Sequence, residues 1–364
     1  MDLIEIHAYD VKRTAMLVKM FGYLQKTWNV RFLFMSATFP GMLLEMLKRE
    51  VQIEQIISAD EHFYMLARRH RVFVKEADLL AEESVSCILK RVARGENVLI
   101  VCNTVERAQR MYDTIKKSGL SFELFLLHGR LHGKDRQKVE HVLMKKMQSP
   151  FLSSTPMVLV ATQAVEVSLD VSFDVGFTDP APLEALLQRF GRVNRKPFPP
   201  VEPKDVFVYS QPTRFDGIYD EEEVVRALHL LRSKGNGFII NESEVSSWLD
   251  NIYSGSVLYT WMETYQDAAT RFQRTIVQEL VPFFADTEIA DEFYEQFDSV
   301  PVLASNLLEE YRTVAELSPL AAEELLVTVR WKTYQKYKAQ PYKSPHGMVR
   351  MVRVPYLSEY GLQM

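Results

Sequence analysis

The chain contains 364 residues, of which 47% are hydrophobic and 25% are charged, proportions typical of a soluble globular protein with two or three domains. Its formal net charge of -5 excludes attraction of nucleic acid by the field of the whole molecule, so any such binding requires a local basic surface. The only two cysteines, Cys87 and Cys102, exclude a disulfide framework and a cysteine-based zinc site, and no window of sequence is apolar enough to cross a bilayer. We therefore expect a soluble, cytoplasmic protein that has no membrane partner.

The first ten residues predict a buried strand that ends in polar groups. Glu5 and His7 alternate with apolar positions there, which is how a parallel strand delivers catalytic side chains at its carboxyl end. Glu5 could polarise a water as a general base, and His7 could link it to a second site. Alternatively, this is an edge strand whose Glu5 and His7 only point outward. A sheet neighbour would have to precede the strand, so we expect the chain to be the downstream part of something longer.

Two helices and a short strand follow. Apolar residues at helical spacing predict an amphipathic helix from Val11 to Thr27, and a second helix is expected from Met42 to Arg49. Between them, Phe32 to Met35 predicts a short buried strand that ends at Ser36-Ala37-Thr38. The hydroxyls of Ser36 and Thr38 either hydrogen-bond to neighbouring loops, and so respond to what those loops bind, or cap the next helix.

The middle of the chain alternates strands with helices. Residues 51 to 76 predict two or three strands, and a helix is expected from Ala81 to Arg94. Further strands are predicted at Val98 to Cys102, Phe122 to Leu127, Met157 to Val160 and Phe173 to Phe177, with helices at Thr104 to Lys117 and Lys134 to Met147. This alternation predicts right-handed crossovers and a doubly wound parallel sheet, so the fold class is α/β.

Polar loops follow the predicted strands, and they should meet at one edge of the sheet. The first begins at Asn103-Thr104 and runs to Arg107, the second is His128-Gly129-Arg130, and the third runs from Thr162 to Asp170. In open parallel sheets, ligands bind outside the carboxyl ends of the strands.

The segment Gln188 to Arg195 carries three arginines and a glutamine directly after an apolar run. We expect a helix that brings this group to a surface with the guanidinium groups pointing outward, so that Arg192 and Arg195 reach one phosphate chain. A glutamine such as Gln188, positioning water beside the charge of Arg189, is what hydrolysis of a nucleoside triphosphate needs. The alternative interpretation is a solvated basic helix end.

The remaining residues predict a mainly helical region with a basic end. Helices are expected at Glu222 to Arg232, Glu244 to Leu249, Ser256 to Gln273, Thr287 to Phe297 and Leu303 to Leu317. Between Arg330 and Arg353, seven basic residues are interleaved with aromatic residues, and no acidic residue occurs. Cations combined with stacking aromatics suit single-stranded nucleic acid, whereas a strand pair with basic exposed faces is the alternative.

Together these segments resemble the motifs of superfamily 2 helicases, and most closely those of the CRISPR-associated type I helicase-nuclease. The matching segments, in chain order, are Glu5-Ile6-His7 for the Asp-Glu-x-His box, Ser36-Ala37-Thr38, Asn103-Thr104 with Arg107-Ala108-Gln109, Leu127 to Arg130, Thr162 to Asp170 and Gln188 to Arg195. Order and spacing agree over residues 1 to about 212.

The resemblance implies a domain plan. Residues 1–78 would be the end of a first RecA-like helicase domain, residues 79–214 a second RecA-like domain, and residues 215–364 a mainly helical accessory domain with a basic, aromatic tail. ATP and Mg²⁺ are the implied cofactors. The implied partners are single-stranded DNA, the CRISPR surveillance complex, and the missing N-terminal helicase half with its nuclease domain.

The resemblance also implies a role for each matching residue. Glu5 would activate the attacking water and His7 would couple that site to the second domain, while Ser36 and Thr38 would link hydrolysis to movement along the strand. The implied nucleic-acid contacts are Asn103, Thr104, Arg107 and Thr162. The implied nucleotide contacts are Asp170 near the ribose, Arg189, and the γ-phosphate group Gln188, Arg192 and Arg195, with Arg195 as the arginine finger.

Three departures from the family pattern affect these expectations. The family places an aspartate, a magnesium ligand, where this chain has Ile4, and we assign no metal ligand. No Gly-x-x-x-x-Gly-Lys-Ser/Thr loop occurs, so the main cradle for the β- and γ-phosphates is absent, and no His-Asp pair occurs for a metal nuclease. We expect a gene fragment or split subunit that is inactive alone; the alternatives are a non-catalytic nucleic-acid-binding module and a DNA-repair or restriction helicase of the same superfamily.

Overall fold

The computed structural model describes residues 10–35, 40–60, 62, 64, 68–148, 155–166, 169–195, 202–215, 217–277 and 299–364. Three predicted features lie outside the described residues. They are the strand that carries Glu5 and His7, the hydroxyls of Ser36 and Thr38, and the helix predicted at Thr287 to Phe297.

A seven-stranded sheet organises the middle of the chain. Its strands are β1 His70–Asp78, β2 Val98–Val101, β3 Glu123–Leu127, β4 Met157–Ala161, β5 Val175–Thr178, β6 Lys204–Gln211 and β7 Phe238–Ile239. They lie in the order β3-β4-β2-β5-β6-β1-β7, and every neighbouring pair is parallel except β1 with β7. The α/β class and the parallel sheet predicted from the alternation of strands and helices are confirmed.

Helices cover both faces of the sheet, which explains why β2, β4 and β5 are buried along their whole length. The alternation of β2 sends Val98 and Ile100 to one face and Leu99 and Val101 to the other. On the first face lie α3 Glu82–Ala93 and α4 Val105–Lys116. On the second face lie α5 Gly133–Gln148, α6 Leu183–Phe190, α7 Glu221–Ser233 and α8 Val245–Ile252.

The predicted domain boundary at residue 78 is wrong with respect to this sheet. Strand β1 pairs with β6 from His70 onward, so it belongs with the strands that follow it. Val72 of β1 is fully buried in the same core as Leu99 of β2. The predicted strands between residues 51 and 69 do not form among the described residues, most of which are irregular, while His62 and Tyr64 are helical. A sequence window cannot show which of two sheets a short apolar strand will join.

Two helices precede the sheet in the chain, and a later helix packs against them. The first two are α1 Val11–Trp28 and α2 Gly41–Glu50, and α9 Gly255–Phe272 returns to pack against both. Phe32 and Phe34 pack on the ring of Phe21, with centroids 5.0 and 5.3 Å away. They do so from irregular backbone, so the strand predicted at Phe32 to Met35 is not formed.

The residues from 299 onward alternate short strands with short helices. Their strands are β8 Val300–Ala304, β9 Val327–Val329, β10 Tyr342–Ser344, β11 Gly347–Val349, β12 Met351–Val352, β13 Tyr356–Leu357 and β14 Gly361–Leu362. Their helices are α10 Leu308–Leu317, α11 Pro319–Glu323 and α12 Trp331–Tyr337. The predicted helical character therefore holds for α7 to α9, but Leu303 lies in a strand. In the described part of the chain, no helix combines the length and apolar composition needed to cross a bilayer.

Replacing Val72 with alanine tests whether β1 belongs to the sheet core. Because Val72 has no exposed surface, Val72→Ala should lower the free energy of unfolding by about 2 kcal/mol. Val225→Ala is the matched control, since Val225 lies on α7 with 47% of its surface exposed and should cost at most about 0.5 kcal/mol. Urea unfolding measures both values, and equal effects of the two substitutions would contradict this assignment of β1.

Candidate active site at the carboxyl edge of the sheet

Polar residues that follow four strands meet at one edge of the sheet. Asp78 ends β1, Asn103 follows β2, Glu166 lies in the loop after β4, and Asp179 directly follows β5. All four strands are parallel, so their carboxyl ends share this edge. The predicted convergence of the loops is thus present, and hydrogen bonds from two arginines connect it.

Arg107 connects the ends of β1 and β5. Its Nε and Nη2 atoms donate to the two carboxylate oxygens of Asp179 at 2.8 and 2.7 Å, and Nη2 also donates to Asp78 at 2.6 Å. Burial would lower the pKa of Arg107, but Asp179 and Asp78 raise it above its ordinary value, so the guanidinium stays charged. Two carboxylates occupy the Arg107 side chain in this conformation, and its predicted contact with nucleic acid stays a prediction.

Arg189 is almost completely buried, with 2% of its surface exposed. Its Nε atom donates to Glu166 at 2.8 Å. Four further contacts complete the set: Nη1 donates to the Thr178 hydroxyl (2.7 Å) and the Asp179 carbonyl (3.1 Å), and Nη2 donates to Asn103 Oδ1 (3.0 Å) and the Tyr219 hydroxyl (2.9 Å). Arg189 thereby joins the loops after β2, β4 and β5 to the segment before α7.

Charge at this position is stabilised by its surroundings. Burial opposes the charged form of Arg189, but Tyr219 and Glu166 raise its pKa above the ordinary value. Burial raises the pKa of the Glu166 carboxyl, and the positive charge of Arg189 opposes that rise. The predicted outward orientation of Arg189 is wrong, because every donor of its guanidinium is bonded inside the protein.

Arg192 is also turned inward, with 6% of its surface exposed. Its Nε atom donates to the carbonyl of Val165 at 2.9 Å, its Nη1 atom donates to the carbonyl of Leu169 at 2.8 Å, and Nη2 donates to the carbonyl of Glu166. Carbonyl groups left free in an irregular loop need donors, and Arg192 supplies them. The predicted outward orientation of Arg192 is wrong, and its predicted contact with a γ-phosphate stays a prediction.

Of the three arginines in the segment Gln188 to Arg195, Arg195 is the one whose side chain reaches solvent. Its side chain is 39% exposed and pairs through Nε with Asp170 at 2.8 Å, and the Asp170 side chain is 80% exposed. The backbone N–H of Arg195 donates to the Ser172 hydroxyl at 2.9 Å. An ion pair this exposed is worth at most about 1 kcal/mol, so a stronger anion can replace Asp170.

Gln188 lies on the same helix as Arg189 and has a free acceptor. Its Oε1 atom is shielded from solvent and has no hydrogen-bond partner among the described residues. A buried acceptor without a donor is costly, and it is satisfied when a water or another donor binds there. The predicted role of Gln188 in positioning a water stays a prediction, and this atom is consistent with it.

The predicted nucleic-acid contacts are mostly occupied within the protein. Asn103 is 1% exposed and donates through Nδ2 to the Pro180 carbonyl at 2.6 Å, and Thr162 is 3% exposed. Both side chains are buried in this conformation, and their predicted contact with nucleic acid stays a prediction. Thr104 accepts a hydrogen bond from the Arg107 N–H at 3.2 Å and caps α4, so its further role stays a prediction.

Sequence reasoning missed four residues of this network. Asp78, Asp179, Glu166 and Tyr219 bind Arg107 or Arg189, but none was assigned a role. Asp78 and Asp179 do follow apolar strands directly, and a search for acidic groups at strand ends would have found them. Among the described residues, no group of three His, Cys, Asp or Glu side chains is placed to hold a metal ion.

Comparison with known proteins identifies the resemblance. Residues 94–197 match the family model described as CRISPR-associated nuclease/helicase Cas3, C-terminal. The putative CRISPR-associated nuclease/helicase Cas3 of Methanocaldococcus jannaschii is 30% identical over 195 residues, which cover 53% of this chain. The chain spans only 26% of the length of that relative.

Solved structures agree with the fold over nearly the whole chain. Cas3 of T. fusca with AMPPNP superposes with a TM-score of 0.73 at 16% identity, covering 98% of this chain and 53% of that one. A chain of a structure titled CRISPR RNA-guided surveillance complex, pre-nicking, gives a TM-score of 0.67 at 17% identity, covering 98% of this chain and 56% of that one. The predicted resemblance to superfamily 2 helicases of the Cas3 type is thereby confirmed.

Replacing Arg189 and Arg195 one at a time should distinguish an arginine that stabilises the fold from an arginine that is available to bind a ligand. Arg189→Ala leaves the Glu166 carboxylate buried without its partner, so the free energy of unfolding should fall by about 3–5 kcal/mol. Arg195→Ala removes only an exposed ion pair and should cost at most about 1 kcal/mol. Chemical denaturation measures both, and a stable Arg189→Ala variant would contradict the network described above.

Two buried histidines predict a loss of stability in acid. Burial lowers the pKa of both His70 and His128 to about 4, whereas the unfolded value is 6.5. At these two sites the unfolded chain therefore binds protons first, so the histidines cost no unfolding free energy above about pH 6.5 and lower it as the pH falls toward 4, by up to about 3 kcal/mol for each histidine. His70 also contacts the Val193 carbonyl through Nε2 at 2.8 Å, which connects β1 to the arginine segment.

Urea unfolding at about pH 7 and about pH 4.5 measures this dependence. His70→Gln should reduce the difference in unfolding free energy between the two pH values, because one of the two titrating groups is gone. The exposed His229 on α7 provides the control, and His229→Gln should leave the difference unchanged. An equal pH dependence in the His70→Gln variant and the unaltered chain would contradict the prediction.

Proposed function

We propose that this chain supplies the arginine-bearing side of the nucleotide site in an ATP-dependent DNA helicase or translocase of type I CRISPR defence. The observation that carries the proposal is the division among the three arginines of one segment. Arg189 and Arg192 are bonded inside the protein, whereas Arg195 is at the surface, where its side chain pairs with the exposed Asp170. The matches to Cas3 proteins support the family, and the structural likeness supports the two-domain helicase arrangement.

Arg195 is the proposed arginine finger. A permanently charged, planar donor that can exchange a weak carboxylate contact for a phosphate is suited to stabilise charge on a transferring phosphoryl group. Gln188, seven residues earlier, would position the attacking water through its unpartnered Oε1. Asp170 would then be released to hydrogen-bond the nucleotide ribose, as the resemblance implies.

Inward arginines give the proposed site its rigidity. Arg189 fixes the loops after β2, β4 and β5 to one another, and Arg192 holds the carbonyls of the loop that leads to Asp170. Positioning of this kind matters because a misplacement of about 1 Å can cost about 10²-fold in rate. We assign positioning roles to both residues in place of phosphate contact.

ATP, when bound, supplies the γ-phosphoryl group that is transferred to water. The T. fusca protein, which shares the fold, was solved with AMPPNP and so supports a nucleotide as ligand. In this chain, Arg195, Gln188 and Asp170 would face that nucleotide. The phosphate loop and the magnesium ligands would come from the remainder of the helicase, on the same gene or a separate chain, and Glu5 with His7 would complete the water site.

Single-stranded DNA is the proposed nucleic acid along which the helicase moves. Because the side chains of Asn103 and Arg107 are hydrogen-bonded inside the protein and that of Thr162 is buried, we propose that they shape the loops and that the contacts to DNA come from Thr104 and the loop backbones. The proposed partner that presents DNA is the CRISPR surveillance complex, supported by the fold match to a chain in such a structure.

The absence of a phosphate loop from the sequence favours a second candidate, a non-catalytic module that binds nucleic acid with the helicase fold. Hydrolysis of ATP distinguishes the two candidates. The helicase account predicts little hydrolysis by these residues alone and DNA-stimulated hydrolysis when the missing half is supplied. A non-catalytic module would hydrolyse no ATP in either condition.

In the supplemented enzyme, Arg195→Ala should lower DNA-stimulated hydrolysis of ATP by about 10³-fold or more, because it removes the arginine finger. Arg94→Ala is a matched control, since Arg94 is an exposed arginine at the end of α3, far along the chain from the arginine segment. Steady-state phosphate release measures the rates. Unchanged hydrolysis in Arg195→Ala would show that another residue is the finger, and robust hydrolysis by the chain alone would show that the nucleotide site is misplaced.

A further inference from the structure

We propose that four lysines near the C-terminal end form a surface that binds the phosphate backbone of single-stranded DNA. The basic C-terminal surface consists of Lys332, Lys336 and Lys338, on or next to α12, and Lys343 on β10. The proposal rests on the proposed function in one respect, namely that DNA is the ligand of this protein. It adds a second contact, separate from the loops of the sheet.

Charge is the first argument. From Leu325 to Ser358 the sequence contains seven lysines and arginines and no aspartate or glutamate, although the whole chain carries a net charge of -5. The side chains of all four lysines are exposed. In the part of the chain that the structure describes, none of these four ammonium groups has a carboxylate within ion-pair distance, whereas Lys116 and Lys134 pair with Glu359 and Glu310.

The aromatic residues of this region are used differently from what the sequence predicts. Trp331, Tyr334 and Tyr337 are partly buried against the core formed by β8, β9 and β12, and Tyr342 lies edge-on to Tyr311, with ring centroids 6.3 Å apart. These rings anchor the segment to its core. We therefore infer that the surface recognises phosphates without stacking on bases, so binding should depend on salt and little on base sequence.

Backbone contacts hold the lysines in a fixed arrangement. The N–H of Ala339 donates to the Met351 carbonyl at 2.8 Å, and the N–H of Arg353 donates to the Tyr337 carbonyl at 2.9 Å, which ties the end of α12 to β12. Lys343 lies in the β10–β11 hairpin directly before that strand. A surface that is ordered before binding loses less conformational entropy when the ligand arrives.

The position of the surface is the second argument. Arg330, at the start of α12, donates to the carbonyl of Gly217 in the segment after β6. Tyr356 stacks on His132 at 4.3 Å between ring centroids and donates to Asp135 at 2.8 Å, just after the loop that follows β3. Both contacts lie beyond the carboxyl ends of strands, so the C-terminal residues sit at the edge where the proposed DNA loops meet.

The test compares the salt dependence of DNA binding in two quadruple variants of the full chain. The first carries Lys332→Gln, Lys336→Gln, Lys338→Gln and Lys343→Gln. The matched control carries Lys90→Gln, Lys117→Gln, Lys138→Gln and Lys145→Gln, which are exposed lysines on the sheet domain without an ion pair among the described residues. Fluorescence anisotropy of a fluorescein-labelled oligothymidylate measures Kd across a range of salt concentrations.

For the surface variant, the slope of log K against log salt should be shallower by about 0.7 for each lysine that contacts a phosphate, and Kd near 0.1 M salt should rise by on the order of 10²-fold. The control should keep the slope of the unaltered chain. Circular dichroism melting should give the same Tm for all three proteins, because every replaced side chain is exposed.

The inference is overturned if the surface variant keeps the original slope, or if the control loses as much as the surface variant. In either case the proposed function would still be supported if DNA-stimulated ATP hydrolysis depends on Arg195. If the unaltered chain binds no DNA at any salt concentration, both the surface and the DNA-binding part of the proposed function fail.

Discussion

The buried guanidinium of Arg189 is the contact on which the architecture of the site depends. A charge held at 2% exposure is tolerated only when each donor has a partner, and Arg189 has them on three loops and on Tyr219. Removing any one loop would leave part of the charge unpaired. The ends of β2, β4 and β5 are therefore constrained relative to one another before any ligand arrives.

This constraint explains why one short segment contains arginines with opposite tasks. Arg189 and Arg192 point inward and order loops, whereas Arg195, beyond the end of α6, points to solvent beside Asp170. A residue that is bonded on all sides cannot also move to a nucleotide without breaking the site apart. A residue in an exposed ion pair can, at a cost of about 1 kcal/mol or less.

The sequence predicted the fold better than the direction of the side chains. Alternating apolar strands and amphipathic helices predicted the parallel sheet and its carboxyl edge, because both follow from local periodicity. The inward turn of Arg189 and Arg192 depends on Asp179, Glu166 and the loop carbonyls, which meet only when the strands align. For the same reason, β1 was assigned to the wrong domain and Leu303 to a helix, since short apolar runs fit a helix or either sheet until their neighbours are known.

A structure of the chain together with the proposed other half of the helicase and an ATP transition-state mimic would test the account most directly. The account predicts that the Arg195 guanidinium leaves Asp170 and contacts the γ-phosphate position, while Arg189 keeps its bond to Glu166 and Arg192 keeps its loop carbonyls. Finding Arg192 on the phosphate and Arg195 still on Asp170 would contradict it.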